Sequence, residues 1–182
     1  MPTLRQIIET VAIVVWGCHV AGAARTFSPP KGERPSPTIY LFTVAVFVLV
    51  NRVLTAPLET RFVIPGLVAL VGSLFLFEWA RQSVRGKFFS YIYSRDTPQF
   101  IWTSGPYAYI RNPFYASYML SYIGAAMMFP GIAAFVVVAV MIAYFALAAR
   151  HEERKFQSSP LAAEYEAYRR RTGRFIPRLG SA

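Results

Sequence analysis

From Ile132 to Ala149 the chain runs without a single charged residue. Backbone N–H and C=O groups in such a stretch find no water once it is buried in hydrocarbon, so only a helix can satisfy them there. Four further apolar runs precede it: Thr10 to Ala24, Thr38 to Leu54 with Asn51 and Arg52 near its end, Phe62 to Ala80, and Phe114 to Phe129. At ~1.5 Å per residue, about 20 residues cross a hydrocarbon core of roughly 30 Å. The sequence therefore predicts an all-α integral membrane protein of about five transmembrane helices. Three spans fall in residues 1–80 of a single membrane domain, 1–182, and a loop, a helical hairpin and a tail follow in 81–182.

Punctuation between the runs supports this reading. Arg25 to Pro37 holds four prolines and must be a loop, because proline removes helical hydrogen bonds. Ala56 to Thr60 is a turn, and Pro130-Gly131 is too short for anything but a hairpin. Phe114 to Phe129 is short for a span, so its helix starts inside the preceding turn, with Pro113 in its first turn. The first run reads as a transmembrane helix in preference to a cleaved leader, since Glu9 stands where a positive region belongs.

With 55% hydrophobic and 15% charged residues and a mean hydropathy of +0.38, a soluble domain is excluded. The net charge of +10 is spread between apolar runs, which suits anionic lipid headgroups and not nucleic acid. Cys18 alone cannot form an internal disulfide. His19 and His151 lie in different segments without metal-ligand spacing, so no metal site is expected.

Residues 81–111 form the longest stretch between spans. It carries Arg81, Arg85, Lys87, Arg95 and Arg111 against Asp96, and the aromatics Phe88, Phe89, Tyr91, Tyr93, Phe100, Trp102, Tyr107 and Tyr109. Such rings belong at a membrane surface, which predicts an interfacial or re-entrant loop. After Arg150 the tail is polar. Ser159-Pro160 reads as a helix start, Leu161, Tyr165 and Tyr168 share one face, and the helix ends near Gly173 before a clasp of Phe175-Ile176-Pro177.

Five spans put the termini on opposite sides. The first loop holds three Lys/Arg, the long loop five and the tail eight, whereas Arg5, Arg52 and Arg61 lie on the other side. The positive-inside rule makes the N-terminus external and the long loop and tail cytoplasmic. Arg111-Asn112-Pro113 and Glu152-Glu153 then share one face, at the two ends of one hairpin.

The order Gly105-Pro106-Tyr107-Ala108-Tyr109-Ile110-Arg111-Asn112-Pro113-Phe114-Tyr115, an apolar hairpin, Glu152-Glu153, then Tyr165, Tyr168 and Pro177 resembles the isoprenylcysteine carboxyl methyltransferase and phospholipid methyltransferase superfamily over residues 79–178. The resemblance implies a membrane methyltransferase that uses S-adenosylmethionine, with S-adenosylhomocysteine as product, held between long loop and tail. It implies a lipid-like or small hydrophobic acceptor entering from the bilayer: an isoprenoid acid, an amine headgroup or a thiol. Residues expected at the cofactor are Gly105, Tyr107, Arg111, Asn112, Pro113, Tyr115, Glu152, Glu153, Tyr165 and Tyr168. Glu152 or Glu153 suits the donor's ammonium, Arg111 its carboxylate, and Tyr107, Tyr115 or Tyr165 its adenine or sulfonium. Two positions depart from the pattern. Asn112 replaces the family histidine, and Ala148 stands where prenylcysteine enzymes carry an arginine for the acceptor, which leaves Arg150, with Arg111, as the catalytic candidates. The other readings are an NADPH-dependent sterol-type reductase and a non-catalytic protein that retains the fold.

Overall fold

The computed structural model describes residues 2–28, 37–84, 89–90, 98 and 100–178. Among them are six α-helices: α1 (Leu4–Thr26), α2 (Pro37–Thr55), α3 (Val63–Ser83), α4 (Pro113–Met128), α5 (Ile132–Gln157) and α6 (Ala162–Arg171). The stretches Leu4–Thr26, Thr60–Ser83 and Ile132–Gln157 are long and apolar enough to cross a membrane, while Ile39–Thr55 is a shorter apolar helix. α4 has 16 residues and is buried on nearly every side, which makes it the centre of the bundle. The outward faces of α1, α3 and α5 carry Val14, Ile64, Phe75, Phe135 and Leu147, exposed apolar side chains of the kind that lipid covers.

Each apolar run became a helix, and α1 and α5 run furthest past theirs. α1 begins at Leu4, because Arg5 pairs with Glu9 at 2.6 Å and reaches the carbonyl of Leu54 at 3.0 Å, so its charged start is anchored to the end of α2. α5 continues through the charged His151–Lys155 segment to Gln157. Pro113 occupies the first turn of α4, as its fixed φ favours.

α3 and α4 approach most closely where both are glycine. A Cβ on Gly124 would lie 2.7 Å from the carbonyl oxygen of Gly66 and 3.0 Å from Ala69 Cβ, so the helix backbones touch. At one end of the bundle, Arg52 Nη2 donates to Pro130 O at 2.6 Å and the Glu59 amide to Met128 O at 2.8 Å. At the other, Phe27–Ser28 after α1 pairs in parallel with Phe89–Ser90 after α3, and Ile110 bridges Gly173. The chain just after α1, the described parts of the long loop and the tail therefore gather on one face. Of the expected interfacial loop, Arg85, Lys87, Phe88, Tyr91, Tyr93, Arg95 and Asp96 lie outside the described residues, as do residues 29–36 of the first loop.

Candidate active site

The entry turn to α4 is a 3₁₀ turn, Gly105–Ala108, that only glycine can open. Gly105 has φ +60°, and a Cβ there would collide with Ser83 at the end of α3. The Tyr109 and Ile110 amides both donate to Pro106 O, which rolls the chain toward Asn112. The Tyr109 ring packs against Trp79 of α3 at 6.2 Å, an aromatic pair at the end of a spanning helix.

The tail returns and is stitched onto this turn by main-chain hydrogen bonds. Gly173 N donates to Tyr109 O at 3.0 Å, Arg111 N to Gly173 O at 2.8 Å, and Asn112 N to Arg174 O at 3.2 Å. Asn112 Nδ2 also donates to Arg174 O, at 3.3 Å. Upstream, Tyr168 Oη donates to Tyr107 O at 2.7 Å, so α6 lies against the turn as well.

Charge is concentrated inside this seam. Arg111 Nε donates to Glu153 Oε1 at 3.1 Å and its Nη1 to the carbonyls of Arg169 and Thr172. Arg174 grips the same carboxylate with two bonds, Nε to Oε1 at 3.0 Å and Nη2 to Oε2 at 2.7 Å. The Arg111 and Glu153 side chains are only 8% and 7% exposed, which makes this a desolvated pair and not a surface one. The Glu153 hydrogen bond holds the Arg174 guanidinium above its usual range. Glu152, one residue earlier, takes a different partner, accepting from Tyr115 Oη at 2.7 Å.

Between these groups lies a cavity of about 130 Å³ lined by Tyr107, Arg111 to Tyr115, Glu152, Glu153, Tyr165 and Tyr168, with Ile101, Trp102 and Phe156. Burial raises the Tyr107 and Tyr165 hydroxyls above their usual range and Tyr168 to about 12, so all three are neutral hydrogen-bonding groups at physiological pH. Phe156 and Tyr165 stack face to face, centroids 4.4 Å apart and planes within 9°. An acid-lined niche walled by aromatic faces suits a cation that carries a flat ring system.

Nine of the ten residues expected at a cofactor line this one cavity. Gly105 does not; it shapes the turn behind Tyr107. Arg150 is exposed on α5, one turn before Glu153, and is not among the lining residues. The two glutamates, interchangeable in the sequence reading, have separate partners. Sequence reasoning missed Ile101, Trp102, Phe114 and Phe156 as cavity residues. Phe156 follows Glu152 by four positions, a helical spacing that an α5 extended past Ala149 would have exposed.

Residues 60–159 match the family model for phospholipid methyltransferase. No curated protein matches the chain significantly.

Proposed function

Because the chain belongs to the phospholipid methyltransferase family, a family of membrane methyltransferases, we propose that it transfers a methyl group from S-adenosylmethionine to a lipid-like or small hydrophobic acceptor. The observation that carries this reading is the cavity itself, in which Glu152 stands among neutral tyrosines at the boundary of the bilayer. Its residues fit such a donor. Glu152 binds the ammonium, held in place by Tyr115, since Glu153 is already shared by two arginines. The Phe156–Tyr165 stack presents a flat apolar surface to adenine, and Tyr107 offers an electron-rich ring face to a sulfonium.

Arg111 has a more limited part than the sequence assigned to it. Its guanidinium is directed at Glu153 and two tail carbonyls, so it positions the seam and has little left for the donor's carboxylate. The ~130 Å³ of this cavity is smaller than the roughly 300 Å³ or more of a typical ligand pocket, so its walls move apart to admit the donor, whose central sulfonium then turns its methyl toward the acceptor. The bound donor supplies an electrophilic methyl. The protein contributes orientation for in-line attack and exclusion of water, the largest effects open to a site without a covalent step. Arg150, exposed one turn nearer the bilayer, meets an acceptor that arrives along the membrane. The distribution of lysine and arginine supports a cytosolic placement of this face, where the donor is available.

Titration calorimetry in detergent with S-adenosylhomocysteine and with NADPH tests the reading. Binding of the first alone is expected; binding of the second alone overturns it in favour of a reductase, and binding of neither removes the enzyme. Methyl transfer from radiolabelled S-adenosylmethionine into membrane lipids and small thiols then identifies the acceptor.

A further inference from the structure

The tail segment that closes the cavity also carries an exposed basic patch. Arg170 and Arg171 end α6, and Arg178 folds back to donate through Nη1 to Arg170 O, which gathers three exposed arginines at one corner. Between them in sequence, Ile176 is 78% exposed on a turn so tight that a Cβ at Gly173 would strike the Ile176 carbonyl. Glu166 offsets part of this charge, at 2.8 Å from Arg169 and 3.8 Å from Arg170, and leaves the patch strongly positive.

Its depth relative to the bilayer follows from its hydrogen bonds. Gly173 bonds to Tyr109 O, and the Tyr109 ring lies against Trp79 in the last two turns of the spanning helix α3. That aromatic pair marks headgroup level. A cationic corner with an apolar tip at this level is complementary to phosphate headgroups over acyl chains.

We propose that this corner, Arg170, Arg171, Ile176 and Arg178, docks on an anionic leaflet, and that docking tightens the donor cavity through Thr172–Arg174. The link is short. Thr172 O and Gly173 O accept from Arg111, Arg174 O accepts from Asn112, and the Arg174 side chain holds Glu153. Anything that orders residues 172–178 therefore steadies Arg111, Asn112 and Glu153, which line the cavity. This inference rests on the cavity being a donor site, but the docking itself does not.

Full-length protein in nanodiscs of phosphatidylcholine, with or without phosphatidylglycerol, supplies the test. Without any donor, amides of residues 172–178 are expected to exchange more slowly in the anionic discs. S-adenosylhomocysteine affinity is expected to tighten about tenfold there, a common size for coupling between two sites. Both responses should shrink in high salt and vanish in the triple variant Arg170→Gln/Arg171→Gln/Arg178→Gln, which leaves every cavity residue in place. Equal exchange in the two discs, or an unchanged response in the triple variant, overturns the docking. Slower exchange with no S-adenosylhomocysteine binding in either disc upholds the docking and refutes the donor reading instead. Slower exchange with equal affinity in both discs overturns the coupling.

Discussion

Tyr115, in the first turn of α4, donates its hydroxyl to Glu152 on α5 at 2.7 Å. The two residues stand 37 positions apart, at opposite ends of the hairpin. The bond leaves Glu152 oriented into the cavity while its neighbour Glu153 is turned to Arg111 and Arg174.

Glu152→Gln removes the charge proposed to face a donor's ammonium and keeps the shape of the side chain. A hydrogen bond to a charged group is worth about 1.5–3 kcal/mol, so S-adenosylhomocysteine should bind roughly ten- to a hundredfold more weakly, with an unchanged melting temperature. Calorimetry and thermal unfolding on the same preparation check both halves. An unaltered Kd would remove Glu152 from the donor site.

Glu153→Ala should behave differently, because it strands buried Arg111 without its carboxylate. Breaking a desolvated pair from one side costs about 3–5 kcal/mol. The expected result is a large loss of thermal stability in detergent, together with protease cleavage of the loosened tail. A variant as stable as the parent would show that the tail is held by its main-chain bonds alone.

Arg150→Ala is expected to leave donor affinity unchanged, as exposed substitutions away from a site usually fall within about 0.5 kcal/mol. Its effect should appear in the KM for the acceptor. A tenfold change in S-adenosylhomocysteine Kd would instead put Arg150 at the donor.

Gly124→Leu drives a side chain into the Gly66 carbonyl and Ala69, where α3 and α4 touch. Overpacking of this kind costs about 1–3 kcal/mol or forces the helices apart. The melting temperature should fall and donor binding should weaken, since α4 carries Tyr115. Full activity at parental stability would mean that the α3–α4 contact can widen freely.

The helices were legible because burial in hydrocarbon forces each apolar run into one conformation, and α2 to α5 start within a residue of the runs that announce them. Most of the candidate cavity was legible too, since Arg111, Asn112, Glu152 and the tail tyrosines stand in a recognisable order and line it together. Two things were hidden. The stitching of Gly173 and Arg174 to Tyr109, Arg111 and Asn112 is largely main chain to main chain across some sixty residues, and such bonds leave no side-chain signature. The division of labour between Glu152 and Glu153 depends on the azimuth of α5, which adjacent positions on a helix, about 100° apart, do not reveal without coordinates.

α5 leaves the hydrocarbon without a break, and that makes the membrane a ruler for the chemistry. Glu152 follows Ala149 by three residues, so its height above the apolar run is fixed at about 4.5 Å. One residue added to the run would lift the carboxylate by ~1.5 Å and swing it through about 100°, out of reach of Tyr115. A bilayer too thick or too thin for the run would have to tilt the whole rod, and the proposed donor site would tilt with it.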